Sequence, residues 1–148
     1  MIVIKNIKDI NYTEHDEVWA IVRSMKHPSL RMQQVESLAP SWNLFKQYRT
    51  LAARNKWNQT TFQNIYVPQF LQEMHTEDAK HLLNELYTAD KNGKNICLVC
   101  FCPDETTCHR SIIAGMLQGA GCNVTGVKCD YSEYYERWKN AAPRSHKR

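Results

Sequence analysis

The chain has 148 residues, of which 19 are Lys or Arg and 15 are Asp or Glu, so its formal net charge is +4 with histidine neutral. This length fits one compact domain whose core needs no disulfide or metal for stability. No window is apolar enough to span a bilayer, and the opening "MIVIKNIKDI" lacks a secretory pattern. We therefore expect a soluble, cytoplasmic protein with no membrane partner and with reduced cysteines.

Two β-type runs, "MIVIKNI" and "VWAIVRS", predict the first strands. Residues 25–41 contain two prolines, and their apolar residues show no sustained periodicity, which predicts a long irregular connection. Ser41 is a suitable N-cap for a helix over "WNLFKQYRTLAARN". In the helical pattern that follows, Pro68 should end or kink the helix. Thr76 and Gly93 then bound a further helix.

The second half of the chain alternates strand and helix. "NICLVCFC" is typical of a central strand covered on both faces, and "CHRSIIAGMLQGAG" predicts a helix. "CNVTGVK" predicts another strand and "SEYYERWKNA" a last helix. This order predicts a three-layer, Rossmann-like α/β fold with a mainly parallel sheet and helices on both faces. We expect one domain over residues 1–148, with residues 141–148 forming a flexible basic tail.

The stretch "PDETTCHR" lies where ligands bind in open α/β sheets, just beyond the carboxyl end of a strand. The helix start offers free N–H groups, and the Arg110 guanidinium suits an anion. Helical phase directs Cys108 and His109 toward the apolar face and turns Arg110 away from it. Cys108 could be packed or reactive, and His109 could bind a loop carbonyl or transfer a proton. The alternative for Arg110 is a salt bridge to Asp104 or Glu105.

Residues of the types that bind zinc surround this stretch, at Cys100, Cys102, Cys108 and His109. Their spacing argues against a metal, because Cys100 and Cys102 share one face of the strand and lack the turn of a C-x2-C site. We therefore predict neither a metal nor a cofactor.

A second polar group, Arg23 and Ser24, ends the strand "VWAIVRS". If that strand runs parallel to "ICLVCFC" and near it, Arg23 and Arg110 should converge at one edge of the sheet as an anion site. The predicted ligand-binding residues are Arg23, Ser24, Arg110 and Ser111, and the catalytic candidates are Cys108 and His109.

"ICLVCFCPDETTCHRSIIAGMLQGAGCNV" resembles the signature of the domain-of-unknown-function 488 (DUF488) family, in which Cys-His-Arg-Ser opens a helix after an apolar strand. "AIVRSMKHPS" and "LAPSWNLFKQYR" are similar to the family's early strand and middle helix. The resemblance covers about residues 18–127 and implies the same α/β fold and site location. Ile21 stands where the family usually has an aspartate.

Three functions remain open. The first is binding of a phosphorylated or anionic ligand, such as a nucleotide or nucleic acid, at the strand ends. The second is an enzyme that acts on a nucleotide-like substrate, with Cys108 as nucleophile or His109 as general acid or base. The third is a module that binds an unknown protein partner through the aromatic residues of "YSEYYERW" and the basic tail.

Overall fold

The computed structural model of the chain describes residues 1–26 and 29–142, and most of the predicted basic tail lies outside them. Five parallel strands form one sheet in the order β3-β2-β4-β1-β5. Their bounds are β1 Ile2–Asn6, β2 Glu17–Ala20, β3 Gln33–Gln34, β4 Ile96–Cys100 and β5 Val124–Thr125. The sheet and its helices make the α/β fold that the strand and helix order predicts.

The central strand β4 explains why the sheet must be covered on both sides. All five of its residues are buried, and successive side chains of a strand point to opposite faces. It pairs with β1, where Ile2 lies opposite Ile96, and with β2, where Ala20 lies opposite Val99. Because β2 and β4 are parallel neighbours, the segments after Ala20 and after Cys100 leave the sheet at the same edge.

The helices begin and end largely where the capping residues predict. Their bounds are α1 Trp42–Ala53, α2 Gln59–Thr61, α3 Val67–Glu73, α4 Glu77–Lys91, α5 His109–Gly119 and α6 Glu133–Asn140. The Ser41 hydroxyl accepts a hydrogen bond from the Leu44 N–H at the start of α1. The Thr76 hydroxyl does the same for Ala79 in α4, and Gly93 follows that helix with a φ of +80°.

Pro68 acts on the helix that contains it, as predicted, but by an unexpected route. It lies in the first turn of α3, and a π-helical segment, Phe62–Tyr66, joins α2 to α3. Proline has no N–H to donate to the preceding turn, so the chain widens before it and then resumes the α-helix. The wide turn buries Phe62 and Tyr66.

Two predicted features of the sheet differ in the structure. The irregular connection contains the short strand β3, which has too few residues for a periodic signal. The strand β2 ends at Ala20, although the Ile21 N–H still donates to the Val99 carbonyl oxygen at 3.0 Å. Arg23 and Ser24 therefore lie in the loop beyond the strand.

The aromatic residues near the C-terminus are mostly packed. Tyr131 and Tyr134 are buried, and the half-buried Trp138 stacks on His75 with ring centroids 4.7 Å apart. Because α6 packs its apolar face on α5, these side chains are less exposed than a docking surface formed by them requires. None of the helices in the described part of the chain has the length and apolar character needed to cross a membrane.

Candidate active site

A cleft of about 220 Å³ opens where the segments after β2 and β4 leave the sheet. We call floor and rim the side that carries its polar and sulfur-containing side chains, together with Ile21 and Val22, and walls the side that is mostly aromatic. The floor and the rim include Ile21, Val22, Arg23, Ser24, Cys100, Cys102, Thr107, Cys108 and His109, and the walls include Pro40, Trp42, Phe45, Tyr48, Trp57, Tyr66 and Phe101.

The local fold explains how the three floor cysteines meet. The strand β4 ends at Cys100, so the chain is free to turn and Cys102 is no longer held in strand geometry. A 3-10 turn, Glu105–Thr107, capped by the Asp104 carboxylate, then brings the chain back to Cys108 at the start of α5. Residues that are separate along the sequence therefore share one pocket floor.

The sulfur atoms lie close together. The Sγ atoms of Cys100 and Cys108 are 3.2 Å apart, and the Cys108 Sγ is 3.7 Å from the Nδ1 of His109. With the Cys102 Sγ included, the four candidate ligand atoms all lie within 4.8 Å of one another. The prediction of no metal assumed that Cys100 and Cys102 share one face of a strand, but the strand stops before Cys102. These four side chains can hold a metal.

His109 is fixed by a backbone contact. Its Nε2 lies 2.7 Å from the carbonyl oxygen of Ile21, just beyond β2, and its ring is buried against Phe70. Because a carbonyl oxygen only accepts, Nε2 must carry the proton and donate it. The other ring nitrogen, Nδ1, then presents a lone pair or a second proton toward Cys108.

The three thiols of the cleft floor differ in pKa. Hydrogen bonds from Cys102 and Cys108 hold the pKa of Cys100 far below its ordinary value, and the nearby His109 and Arg110 contribute in the same direction. The hydrogen bond to Cys100 raises the pKa of Cys102 to about 12. Burial, followed by hydrogen bonding to Cys100, raises the pKa of Cys108 well above its ordinary value. The low pKa of Cys100 favours its thiolate form, whereas the raised pKa values of Cys102 and Cys108 favour their neutral thiol forms.

Helical phase predicts that Arg110 faces solvent, but the structure does not show this orientation. Its side chain is buried, and Nη1 donates to the Cys102 carbonyl oxygen at 2.8 Å and to the Cys100 Sγ at 3.2 Å. Helical phase fails here because α5 is covered on all sides, with every residue from His109 to Leu117 buried. Neither the predicted solvent-facing orientation nor the alternative salt bridge to Asp104 or Glu105 is found among the described residues.

Glu105 instead joins the turn after β4 to the segment before α6. Its buried carboxylate accepts hydrogen bonds from the Tyr131 hydroxyl at 2.7 Å and from the Lys128 N–H at 2.8 Å.

We expect Tyr131→Phe to lower the free energy of unfolding by about 1.5 kcal/mol, because a buried carboxylate oxygen of Glu105 then loses one of its donors. Urea unfolding would measure this loss. Tyr135→Phe on the half-buried Tyr135 is the control, and equal stability of the two variants would contradict the prediction.

The remaining predicted ligand-binding residues are spread over different environments. Arg23 lines the cleft, where Nε donates to the Pro40 carbonyl oxygen at 2.8 Å and Nη2 to that of Glu36 at 3.1 Å. Ser24 is exposed beside it. Ser111 is fully buried and donates to the Cys108 carbonyl oxygen. Arg110 does not line the cleft, so it does not share the cleft with Arg23 as the predicted anion site requires.

The aromatic walls of the cleft were not predicted from the sequence. Trp42 and Phe45 belong to the apolar pattern of α1, which is typical of core residues, yet Trp42 is 52% exposed at the cleft, as is Phe101 at 53%. Deeper in the wall, the ring of Tyr48 meets that of Trp57 edge to face, with centroids 4.6 Å apart. The density of aromatic residues between residues 42 and 66 is the signal that could have indicated a ligand-binding wall.

A protein-family model matches most of the chain. The family model DUF488-N3a, described as the active DUF488-N3 subclade, matches residues 2–121. This range includes the whole cleft and the cysteine cluster. Neither the curated proteins nor the solved structures provide a significant match to the chain.

Proposed function

The chain belongs to the DUF488 family, and we propose that it binds a nucleotide-type ligand in the cleft at the carboxyl ends of β2 and β4. The proposal rests mainly on one observation. Two aromatic side chains of the cleft, Trp42 and Phe101, leave about half of their surface open to solvent. Large exposed rings beside a concave pocket are characteristic of sites that recognise flat, apolar ligand faces.

The walls favour a ring system as the ligand. Behind Trp42, the cleft continues past Phe45 and Tyr48 to the half-buried Trp57. Aromatic side chains bind nucleobases by stacking, which contributes about 1–3 kcal/mol for each base and tolerates different bases. A cavity of about 220 Å³ limits the enclosed part to a small group such as a single base.

The rim supplies the charge that a phosphate requires. Two nitrogens of Arg23 are occupied by the Pro40 and Glu36 carbonyl oxygens, and Nη1 makes no hydrogen bond to a described residue. The Ser24 hydroxyl is exposed next to it. Arg110 and the α5 helix start give less support to anion binding than the sequence implies, because both are occupied by the cysteine cluster. We therefore assign the phosphate to Arg23 and Ser24.

The second candidate function is an enzyme that acts on the bound ligand. Two observations support it: the matching subclade is described as active, and the cysteine cluster lies on the cleft floor. The geometry does not favour Cys108 as a free nucleophile, because its thiol is buried, close to Cys100 and raised in pKa. His109 has its Nε2 committed to the Ile21 carbonyl oxygen. Any chemistry would have to occur at the face of the cluster that lines the cleft.

We expect Trp42→Ala to weaken binding of a nucleoside monophosphate about tenfold, since the substitution removes one stacking surface. Isothermal titration calorimetry against a panel of nucleoside monophosphates and the matching nucleosides measures the effect. Affinity of the monophosphate should exceed that of its nucleoside at low salt, and the difference should shrink at high salt because exposed charges are screened.

The control is Tyr87→Ala, which removes an exposed aromatic side chain from α4, outside the cleft. This variant should bind as the parent does. Absence of saturable binding to any member of the panel would refute the proposal, as would equal affinities of the Trp42 and Tyr87 variants.

A further inference from the structure

We propose that Cys100, Cys102, Cys108 and His109 form a zinc site at the floor of the cleft. This inference does not depend on the ligand that the cleft takes. It starts from the donor set, because three thiols and one imidazole are a combination that holds Zn²⁺ with four protein ligands. Such a site is closed, so the metal would stabilise the fold around the cleft.

The separations between the donor atoms suit a tetrahedral ion. Zinc binds sulfur at about 2.3 Å and imidazole nitrogen at about 2.0 Å, which places neighbouring donors about 3.5–3.8 Å apart. Cys100 and Cys108 have their Sγ atoms 3.2 Å apart, and the Cys108 Sγ lies 3.7 Å from the His109 Nδ1. All four donor atoms lie within 4.8 Å of one another, so only small side-chain rotations separate this arrangement from coordination.

The orientation of His109 is a second, independent indication. Its Nε2 donates to the Ile21 carbonyl oxygen at 2.7 Å, which leaves Nδ1 facing the thiols. A ligating histidine almost always donates its other ring N–H to a carbonyl or carboxylate, because that bond fixes the tautomer and makes the ligand nitrogen more basic. The backbone beyond β2 thus holds His109 in the form that a metal requires.

The charge of Arg110 is the third indication. The guanidinium is buried, its Nε has no hydrogen-bond partner among the described residues, and Nη1 contacts the sulfur atoms of Cys100 and Cys108 at 3.2 and 3.7 Å. No carboxylate in the described part of the chain forms a salt bridge with it. Three thiolates and one Zn²⁺ carry a net charge of −1, and Arg110 would cancel that charge within hydrogen-bond distance of a ligand sulfur.

Metal analysis of the purified full chain tests the proposal. After growth or reconstitution with zinc under reducing conditions, and after gel filtration, we expect about one zinc per chain. Cobalt titration of the metal-free protein should give the intense thiolate-to-metal absorption and the visible bands of a tetrahedral site. Cys100→Ala should reduce the bound zinc to near zero.

Cys97→Ala is the matched control, because Cys97 lies on the same strand and is equally buried but points to the opposite face. This variant should keep its zinc. If Cys100→Ala does not fold, Cys102→Ala replaces it, since Cys102 is half-buried at the edge of the cluster. The proposal is overturned if the parent protein retains no zinc and its cobalt titration shows no thiolate absorption, or if Cys102→Ala holds zinc as the parent does.

Discussion

Gly115→Ala is expected to destabilise the protein by about 3 kcal/mol, although alanine is the better helix former. Gly115 lies in the middle of α5, where α6 and the segment before it pack against the helix. A Cβ atom at this position would lie 2.0 Å from the Tyr131 carbonyl oxygen and 2.8 Å from its Cβ. Backbone atoms cannot move aside as a flexible side chain can, so the two segments would have to separate.

The neighbouring turn of α5 repeats this close approach. A Cβ on Gly119 would lie 2.2 Å from the Tyr135 Cβ and 2.7 Å from the Ser132 carbonyl oxygen. Gly115 and Gly119 are four residues apart and therefore share one face of the helix, which lets α6 pack directly on its backbone. We expect Gly119→Ala to destabilise the protein in the same direction.

Thermal unfolding measures the Gly115 effect, which should lower the Tm by about 10 °C in a chain of this size. The control is Asn84→Ala, an exposed position in α4, where alanine should be neutral or slightly stabilising. A Gly115→Ala variant that melts at or above the parent temperature would contradict the close approach of Tyr131 to α5.

The second large effect is expected for Arg110→Met, which should lower the free energy of unfolding by about 3 kcal/mol. Methionine has an unbranched side chain that resembles the apolar stem of arginine, but it lacks the charged guanidinium. The Cys102 carbonyl oxygen would keep only its bond from the Asn6 side chain, and the Cys100 sulfur would lose its cation. The cluster would then hold its negative charge without the guanidinium that offsets it.

Arg110 remains charged in the folded protein. Burial acts to lower the pKa of Arg110, but the sulfur atoms of Cys108 and Cys100 outweigh it and hold the pKa above its ordinary value. The prediction also separates two roles of this residue. A contact made only with ligand would leave stability unchanged on substitution, whereas a residue that holds the cluster together affects folding with no ligand present.

Chemical unfolding of the purified variant measures the Arg110 effect. Arg49→Met is the matched control, because Arg49 is exposed on α1, where its guanidinium lies over the Phe45 ring. It should change stability by less than about 0.5 kcal/mol. If Arg110→Met unfolds at the same denaturant concentration as Arg49→Met, the guanidinium does not stabilise the cysteine cluster.

Sequence patterns were sufficient for the main elements because local physics determines them. The unbroken apolar run of β4 requires cover on both faces, and Thr76 and Gly93 bound α4 through capping bonds and a left-handed turn. The two-residue strand β3 could not be predicted, since its pairing with β2 depends on a neighbour distant in sequence. The π-helical turn before Pro68 could not be predicted either, because proline requires a break in the regular helix but does not specify the form of that break.

The site was predicted less completely than the fold, and the reason is the environment of α5. Helical phase separates a buried side from an exposed one only where a helix has solvent on one side. The residues from His109 to Leu117 are all buried, so the phase could not indicate that Arg110 turns toward Cys100. Likewise, the periodicity of α1 could not distinguish the core-facing Leu44 from Trp42, which lines the cleft.

By itself, the sequence determined the order of the main strands and helices and the edge of the sheet at which the segment after β4 places Cys108 and His109. Propensity, capping and apolar runs act between near neighbours in the chain and can therefore be read along it. Only the tertiary structure decided that Ile21, Cys100 and Arg110 meet around one cluster, and that aromatic side chains of α1 form a wall above it. Contacts between distant segments depend on the order of the strands in the sheet and on the packing of the helices against it. Local sequence patterns do not determine either of these.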